Sequence, residues 1–450
     1  MDGYLSVGTP GSVAGLEYAR RRYGTLGRAA LIQPSIRLAR DGFVLEAQDA
    51  QLLGEHTAQF QADPPAARMF LNGGRARAVG ERFIQPDLAR TLSLIAAGGE
   101  GAFYRGPIAR DIVAASKARG GLLTMADFAD YTVEERAPVA CEYRGLTVLL
   151  PPPPSSGGVT ICEMFGILSG FDKAKLQPGT ASAAHLWTEA ARRAYFDRNK
   201  TLGDPDFVVD PTARLLAPAY LARLRSTISL DRATPSASLG AVVAPPENRQ
   251  TTHYSVVDGW GNAVAVTYTI NDGFGAKVVA GRTGVLLNDE MDDFTAKPGS
   301  PNAYGLIQGK ANAIAPGKRP LSSMAPAIVL DKGQVKWVLG APGGARIITT
   351  VAGVLLDMID GDMTPEAAVN APRWHHQWLP DVVSLEAGAL SPDQRAKLTA
   401  MGHTVAPMDD WGSENAVELI AVSRGADGKA VLEGVNDRRA SSGSAKGPLP

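Results

Sequence analysis

A mixed α and β fold is what these 450 residues predict, and three observations carry it. Helical and strand patterns alternate through the first half, four prolines at 151–154 stop a strand-like run, and a strong hairpin pattern opens just past mid-chain. With 45% hydrophobic and 20% charged residues the chain can bury a sizeable core, and its 49 Gly and 31 Pro follow no collagen period. Lys plus Arg numbers 45 against 46 for Asp plus Glu, a net charge of −1. No global basic field exists to hold a phosphate backbone, which argues against nucleic acid as a partner. The local patch Arg20, Arg21 and Arg22 reads as the solvated end of a helix.

Residues 12–23 and 29–40 predict short helices, each ending near a glycine, Gly24 or Gly42. Residues 92–97 and 107–119 predict two more. Residues 143–150 read as one strand, stopped by the prolines, and Ser155-Ser156-Gly157-Gly158 opens a helix through about Leu168. No GxxxxGK[ST] occurs, so the glycine pair is read as packing rather than as a phosphate loop. Residues 234–250, rich in Pro, Ser and Ala, predict an exposed, flexible linker. After them, 252–257 and 263–270 predict two strands joined by the turn 258–262. The most apolar stretch, 347–359, is too short to span a bilayer and is interrupted by Asp357. The first 25 residues carry no signal-peptide pattern. Cys141 and Cys162 cannot make a disulfide framework and are read as two buried thiols.

Several chemistries are excluded by their motifs. No GxSxG and no HExxH occurs. Among six histidines only His375-His376 are close in sequence, and neighbours on one element point apart, so no metal centre is expected. The informative segment is Gln250-Thr251-Thr252-His253-Tyr254-Ser255-Val256-Val257, continued by Thr267-Tyr268-Thr269-Ile270-Asn271 and Phe274-Gly275. It resembles the start of the small subunit of gamma-glutamyltransferases (gamma-glutamyltranspeptidases). The resemblance runs on through residues 284–294, 316–324 and 341–346. Upstream it takes in Gly8-Thr9-Pro10-Gly11, 38–42 and 152–158, so it covers essentially the whole chain.

That resemblance implies an α+β protein with the four-layer αββα sandwich of the N-terminal-nucleophile hydrolases. It implies a precursor cut at Gln250–Thr251 into 1–250, a large-subunit portion, and 251–450, the small subunit, as one intertwined heterodimer. The chemistry is coherent: a threonine hydroxyl needs a base beside it, and an N-terminal threonine carries its own α-amine. With a reference pKa of about 7.7–8.0, part of that amine is neutral near pH 7. Thr251 would attack the γ-amide of glutathione or a related compound, and water, an amino acid or a dipeptide would take the γ-glutamyl group. Thr269 would orient Thr251. Asn271, Glu290 and Asp293 would receive the donor's α-ammonium, and Ser322 and Ser323 its α-carboxylate. Gly343 and Gly344 would form the oxyanion hole at a helix start. Tyr304 would close a lid by reaching Asn271. No cofactor and no metal is implied, and the expected location is periplasmic or secreted. Relative to the usual family length the chain is N-terminally truncated. It is expected to lack some strands and an arginine that clamps the α-carboxylate. This keeps two alternatives open: a cephalosporin (glutaryl-type) acylase, and a catalytically inactive truncated homologue.

Overall fold

The computed structural model describes residues 2–240, 251–295, 297, 309–408, 415–425, 428–440 and 443–447. The chain forms two compact units, each assembled from two separated segments: Met1–Glu135 with Ile270–Asp292, and Arg136–Thr269 with Asp293–Pro450. The bond between residues 250 and 251 falls inside the second unit rather than at a boundary.

The first unit is mainly helical. Its principal helices are α1 (Ser12–Tyr23), α2 (Arg28–Asp41), α3 (Pro86–Glu100) and α4 (Pro107–Ala118). Proline opens both α3 and α4, where the missing N–H costs nothing. One core gathers Phe103, Tyr104, Ile108, Ile112 and Phe128, and a second gathers Phe60, Phe70 and Phe83 around the Phe274 ring. The arginines ending α1 are tied down: Arg20 pairs with Glu17, and Arg21 with Glu100. Gly11 sits against Tyr131, whose hydroxyl would lie 2.0 Å from any Cβ placed there. That close approach accounts for the second glycine of Gly8-Thr9-Pro10-Gly11.

The second unit is built on a wholly antiparallel six-stranded sheet. In chain order the strands of this sheet and of the hairpin beside it are β1 (Val139–Tyr143), β2 (Leu146–Leu150), β3 (Thr252–Val257), β4 (Ala263–Tyr268), β5 (Ala327–Asp331), β6 (Gln334–Gly340), β7 (Glu418–Arg424) and β8 (Ala430–Asn436), and the short segments Trp374–His375, Val383–Leu385 and Val405–Pro407 form a separate small sheet. The sheet runs β8-β7-β6-β5-β2-β1, and β3-β4 form a separate hairpin. The single strand expected over 143–150 is thus a hairpin. Arg144 and Gly145, with φ of 50° and 83°, make the turn that splits it.

Side-chain alternation sorts the two faces of this sheet. Ala327, Val329, Leu339 and Leu419 point into the core made with α5 (Gly157–Leu168), α6 (Ala181–Thr201) and α7 (Arg346–Ile359). Every residue of α7 is buried, including the polar Arg346, Thr349, Thr350 and Asp357 among its apolar side chains. Gly340 points the other way, onto the β3–β4 hairpin, where a Cβ would lie 2.2 Å from the His253 ring. The hairpin turns His253, Ser255, Ala265 and Thr267 toward the sheet. Tyr254, Val256, Val264 and Tyr268 lie on its other, exposed face. Helices, sheet and hairpin therefore make three layers.

Two expectations are corrected here. Cys141 on β1 and Cys162 on α5 are not thiols but a disulfide, with Cα atoms 5.7 Å apart. The packing of α5 on the β1–β2 hairpin brings the two together across a sequence separation of 21 that carries no spacing signal. The expected linker is anchored at its start: Ser236 is fully buried, its hydroxyl accepts from Arg192 and its N–H donates to Asp381. Its later part, 241–250, lies outside the described residues.

Opening the disulfide should matter, because it closes a loop in the unfolded chain. Cys141→Ser with Cys162→Ser is expected to cost about 3 kcal/mol, read as a lower denaturation midpoint. An unchanged midpoint would contradict the bond.

Candidate active site

In the second unit Thr251 stands directly before β3, and its hydroxyl donates to Thr269 Oγ1, 3.2 Å away on the chain leaving β4. Two residues on, His253 is buried between Thr267 Oγ1 at 2.9 Å and Ser255 Oγ at 3.1 Å. Burial pushes its imidazole down to about 4, so it is neutral at pH 7. Its ring rests on Gly340, the last residue of β6. The glycine at 340 thus brings the end of β6 against β3, beside Thr251. From that point the chain runs through Ala341-Pro342-Gly343-Gly344-Ala345 into α7. Gly343 and Gly344 have φ of 124° and 53°, which side-chain-bearing residues rarely adopt. Tyr195 Oη donates to the Ala345 carbonyl at 2.6 Å, fixing the loop at the positive end of a 14-residue helix.

Ser322 and Ser323 are held by the Ser155–Gly158 segment. Ser322 N–H donates to the Pro154 carbonyl, and the Ser156 N–H and hydroxyl both donate to the Ser322 carbonyl, at 2.8 and 2.6 Å. A Cβ at Gly157 would lie 2.5 Å from the Met324 carbonyl, and one at Gly158 2.2 Å from that of Pro151. Both glycines serve close packing. The polarity of the two hydroxyls is informative. Ser322 Oγ accepts from Met324 N–H at 3.1 Å, and Ser323 Oγ accepts from Arg198 Nη2 at 2.8 Å. With each oxygen engaged by a protein donor, each hydroxyl hydrogen is left available to an outside acceptor. Two adjacent available donors suit a carboxylate.

Asp293 belongs to the same assembly through Asn312, which is fully buried. The Asn312 amide donates to the Asp293 carbonyl at 2.7 Å, and its Oδ1 accepts from Leu321 N–H at 2.9 Å. One side chain therefore sets the spacing between Asp293 and the Ser322–Ser323 pair. Of the sequence-predicted residues, Thr251, Thr269, Asp293, Ser322, Ser323, Gly343 and Gly344 all lie in this unit. Tyr304 and Gln250 lie outside the described residues.

Asn271 and Glu290 lie in the first unit. Asn271, buried with φ of 76°, donates from its amide nitrogen to the Asp289 carbonyl at 3.1 Å. Asp289 accepts from Asp272 N–H at 2.9 Å, and burial raises its carboxyl. Burial, and then the neighbouring Asp289, push Glu290 up to about 7. Gly8 pairs reciprocally with the Asn288 amide at 2.9 and 3.0 Å, fixing the start of this acidic turn.

Among the described residues one group offers metal-ligand atoms within 4.8 Å of one another: His185, Glu189 and His403. The three are already used structurally. His185 Nε2 donates to the Ser229 carbonyl, and its Nδ1 then accepts from His403 Nε2, both at 2.8 Å. Burial raises the Glu189 carboxyl, but Arg192 and Arg193 outweigh it and keep the group ionised. Two guanidinium groups there oppose a further cation. His375 and His376 turn to different partners, Thr349 with Gln377 and Asp381 respectively. Sequence reasoning missed Ser156, Arg198, His253 and Asn312 as supports of the site. Ser156 and His253, each inside a quoted motif, carried a signal; Arg198 and Asn312 carried none.

Comparison with known proteins follows this geometry. The family model described as Gamma-glutamyltranspeptidase matches residues 1–447. The glutathione hydrolase proenzyme of Pseudomonas sp. (strain A14) is 50% identical over 448 residues, 99% of this chain and 78% of its own length. That of Escherichia coli (strain K12) is 44% identical over 440 residues, 97% and 74% respectively. Among solved structures, a cephalosporin acylase from Bacillus halodurans superposes with a TM-score of 0.83 at 26% identity, covering 97% of this chain and 78% of that one.

Two outcomes test the site's framework. Asn312→Ala strands a buried N–H and a carbonyl and is expected to cost roughly 1–3 kcal/mol, seen as a lower denaturation midpoint; no change would remove Asn312 from the framework. His253 is neutral when folded, down to about pH 4, but binds a proton in the unfolded chain below about 6.5. Its contribution is whole above that pH and is lost as pH falls toward 4. Thermal scans should show Tm declining across that window, less steeply in His253→Gln. Equal slopes in the two proteins would contradict the assignment.

Proposed function

This chain belongs to the gamma-glutamyltranspeptidase family, and from that premise we propose that it hydrolyses or transfers the γ-glutamyl group of glutathione and related amides. The observation that carries the reading is the donor polarity of Ser322 and Ser323, spaced from Asp293 by Asn312 in the unit that holds Thr251. Paired hydroxyl donors suit the α-carboxylate of a γ-glutamyl donor, and the Asp293 carboxylate suits its α-ammonium. Asn271, through its amide oxygen, and Glu290 are assigned to the same ammonium.

In this mechanism the Thr251 hydroxyl first attacks the Gln250 carbonyl, and water opens the resulting ester, giving chains 1–250 and 251–450 as the two subunits. The freed α-amine of Thr251 then serves as base. Thr269 orients the hydroxyl for attack on the donor's γ-carbonyl. The negative charge that develops on that oxygen is received by backbone N–H groups of Gly343 and Gly344 at the start of α7, a contribution of about 2.7–4 kcal/mol for each donor. The amine leaving group departs with a proton. Water, an amino acid or a dipeptide then releases the γ-glutamyl group from Thr251. Tyr304 is assigned to a lid over the donor. No step draws on a cofactor or metal.

The three layers of the second unit support an αββα sandwich, in which the exposed apolar face of the β3–β4 hairpin is where a further layer would lie. The Cys141–Cys162 disulfide supports a periplasmic or secreted location. No helix among the described residues is long and apolar enough to cross a membrane.

The cephalosporin acylase likeness favours a second reading, removal of a glutaryl side chain. A glutaryl group has no α-ammonium for Asp293. The purified chain should therefore divide into fragments of 250 and 200 residues and release nitroaniline from a γ-glutamyl anilide much faster than from a glutaryl anilide. Thr251→Ala should remain a single chain without activity. A cleaving Thr251→Ala variant would overturn the nucleophile, and a preference for the glutaryl anilide would favour the acylase.

A further inference from the structure

Arg198 lies on α6 with 1% of its surface exposed. Its hydrogen bonds all go to neutral groups: Nε to Ser156 Oγ at 2.7 Å, Nη1 to Asn199 Oδ1 at 2.7 Å, and Nη2 to Ser323 Oγ at 2.8 Å. Three other buried arginines of this unit are paired with carboxylates. Arg192 and Arg193 share Glu189, and Arg373 meets Asp437 at 2.8 Å. A charge withdrawn from water is ordinarily paired with an opposite ion, because neutral dipoles replace its hydration only in part. Burial lowers this guanidinium to about 10, so it stays charged at neutral pH, while Tyr195 and Asp293 favour the charged form from a distance. The same guanidinium reaches the site by two routes, directly to the Ser323 hydroxyl and through Ser156 to the Ser322 carbonyl.

We propose that Arg198 is the positioning residue for the donor's α-carboxylate, acting through Ser323. A guanidinium can only donate, so its bond to Ser323 Oγ turns that hydroxyl's hydrogen away from Arg198 and leaves it to donate to a bound acceptor. A carboxylate oxygen accepting that hydrogen would lie roughly 4–5.5 Å from Nη2, two hydrogen-bond lengths at an angle. At that range the buried charge favours an anion over a neutral group. Arg198 thus supplies the charge, Ser323 the contact, and Ser156 holds the second arm of the fork. Without a carboxylate in place, the guanidinium keeps neutral partners alone as its hydrogen-bonding shell. This inference rests on the γ-glutamyl reading and adds to it the source of carboxylate selectivity.

The test compares anilides that differ only at the α-carbon: γ-glutamyl p-nitroanilide, 4-aminobutyryl p-nitroanilide, which lacks the α-carboxylate but keeps the ammonium, and glutaryl p-nitroanilide, which keeps the carboxylate but lacks the ammonium. A further pair, the γ-glutamyl anilide and its α-carboxamide, isolates the carboxylate alone. In Arg198→Gln, KM for the γ-glutamyl anilide should rise roughly 10- to 100-fold, with kcat little changed. KM for the α-carboxamide should stay close to that of the parent protein. Arg198→Lys, which keeps the charge but not the fork, should retain part of the preference. In a Ser323→Ala background, Arg198→Lys should add little further loss, because one path carries the effect. Self-cleavage at residue 251 reports that each variant is folded. Equal losses on the carboxylate and carboxamide donors, or multiplicative losses in the double variant, would overturn the proposal. If the parent protein turns over neither donor, the γ-glutamyl reading itself fails, and this inference with it.

Discussion

A buried positive charge without a hydrogen-bonded counter-ion organises the candidate site. Among the described residues Arg198 has Ser156, Asn199 and Ser323 as hydrogen-bond partners, and each partner's polarity follows from that. Ser156 must accept from the guanidinium, so its hydroxyl hydrogen goes to the Ser322 carbonyl. Ser323 must accept as well, so its hydrogen is turned away from Arg198. The Ser155–Gly158 turn, the Ser322–Met324 backbone and α6 are thereby joined around one cation. Packing alone would allow other rotamers; the one-way donation of a guanidinium does not.

The same economy of contact positions the nucleophile. Gly340 lets the His253 ring lie directly on the end of β6, from which the chain runs on into the loop that opens α7. Gly343 and Gly344 supply backbone angles that other residues rarely adopt, and α7 directs its positive end to that loop. The helix can be buried along its whole length because both the sheet and its neighbouring helices cover it. Its stretch of apolar residues is therefore a core element, despite a composition that invites comparison with a membrane segment.

Local pattern carried much of this into the sequence. α1 begins and ends where its periodicity places it, and β3 likewise, because a glycine or a turn punctuates each. The motif positions Thr251, Asp293, Ser322, Ser323, Gly343 and Gly344 were legible through family resemblance, which a lone threonine or serine would never supply. Long-range relations were not legible. Cys141 and Cys162 bond because α5 packs on the β1–β2 hairpin, and nothing in their spacing says so. The turn at Arg144 and Gly145 interrupts an otherwise continuous strand pattern. Arg198 reads as one more charge on a helix until the fold brings Ser156 and Ser323 to it. Asn312 likewise acquires meaning only when Asp293 and Leu321 are both within reach of its amide.

The central claim is that a threonine at position 251, freed by cleavage, carries the γ-glutamyl group between donor and acceptor. Acid quenching during turnover of a γ-glutamyl anilide, followed by peptide mass mapping, addresses it most directly. The account predicts a γ-glutamyl ester on the peptide that begins with Thr251. An adduct on any other residue, or turnover by a chain still continuous through residues 250 and 251, would contradict it.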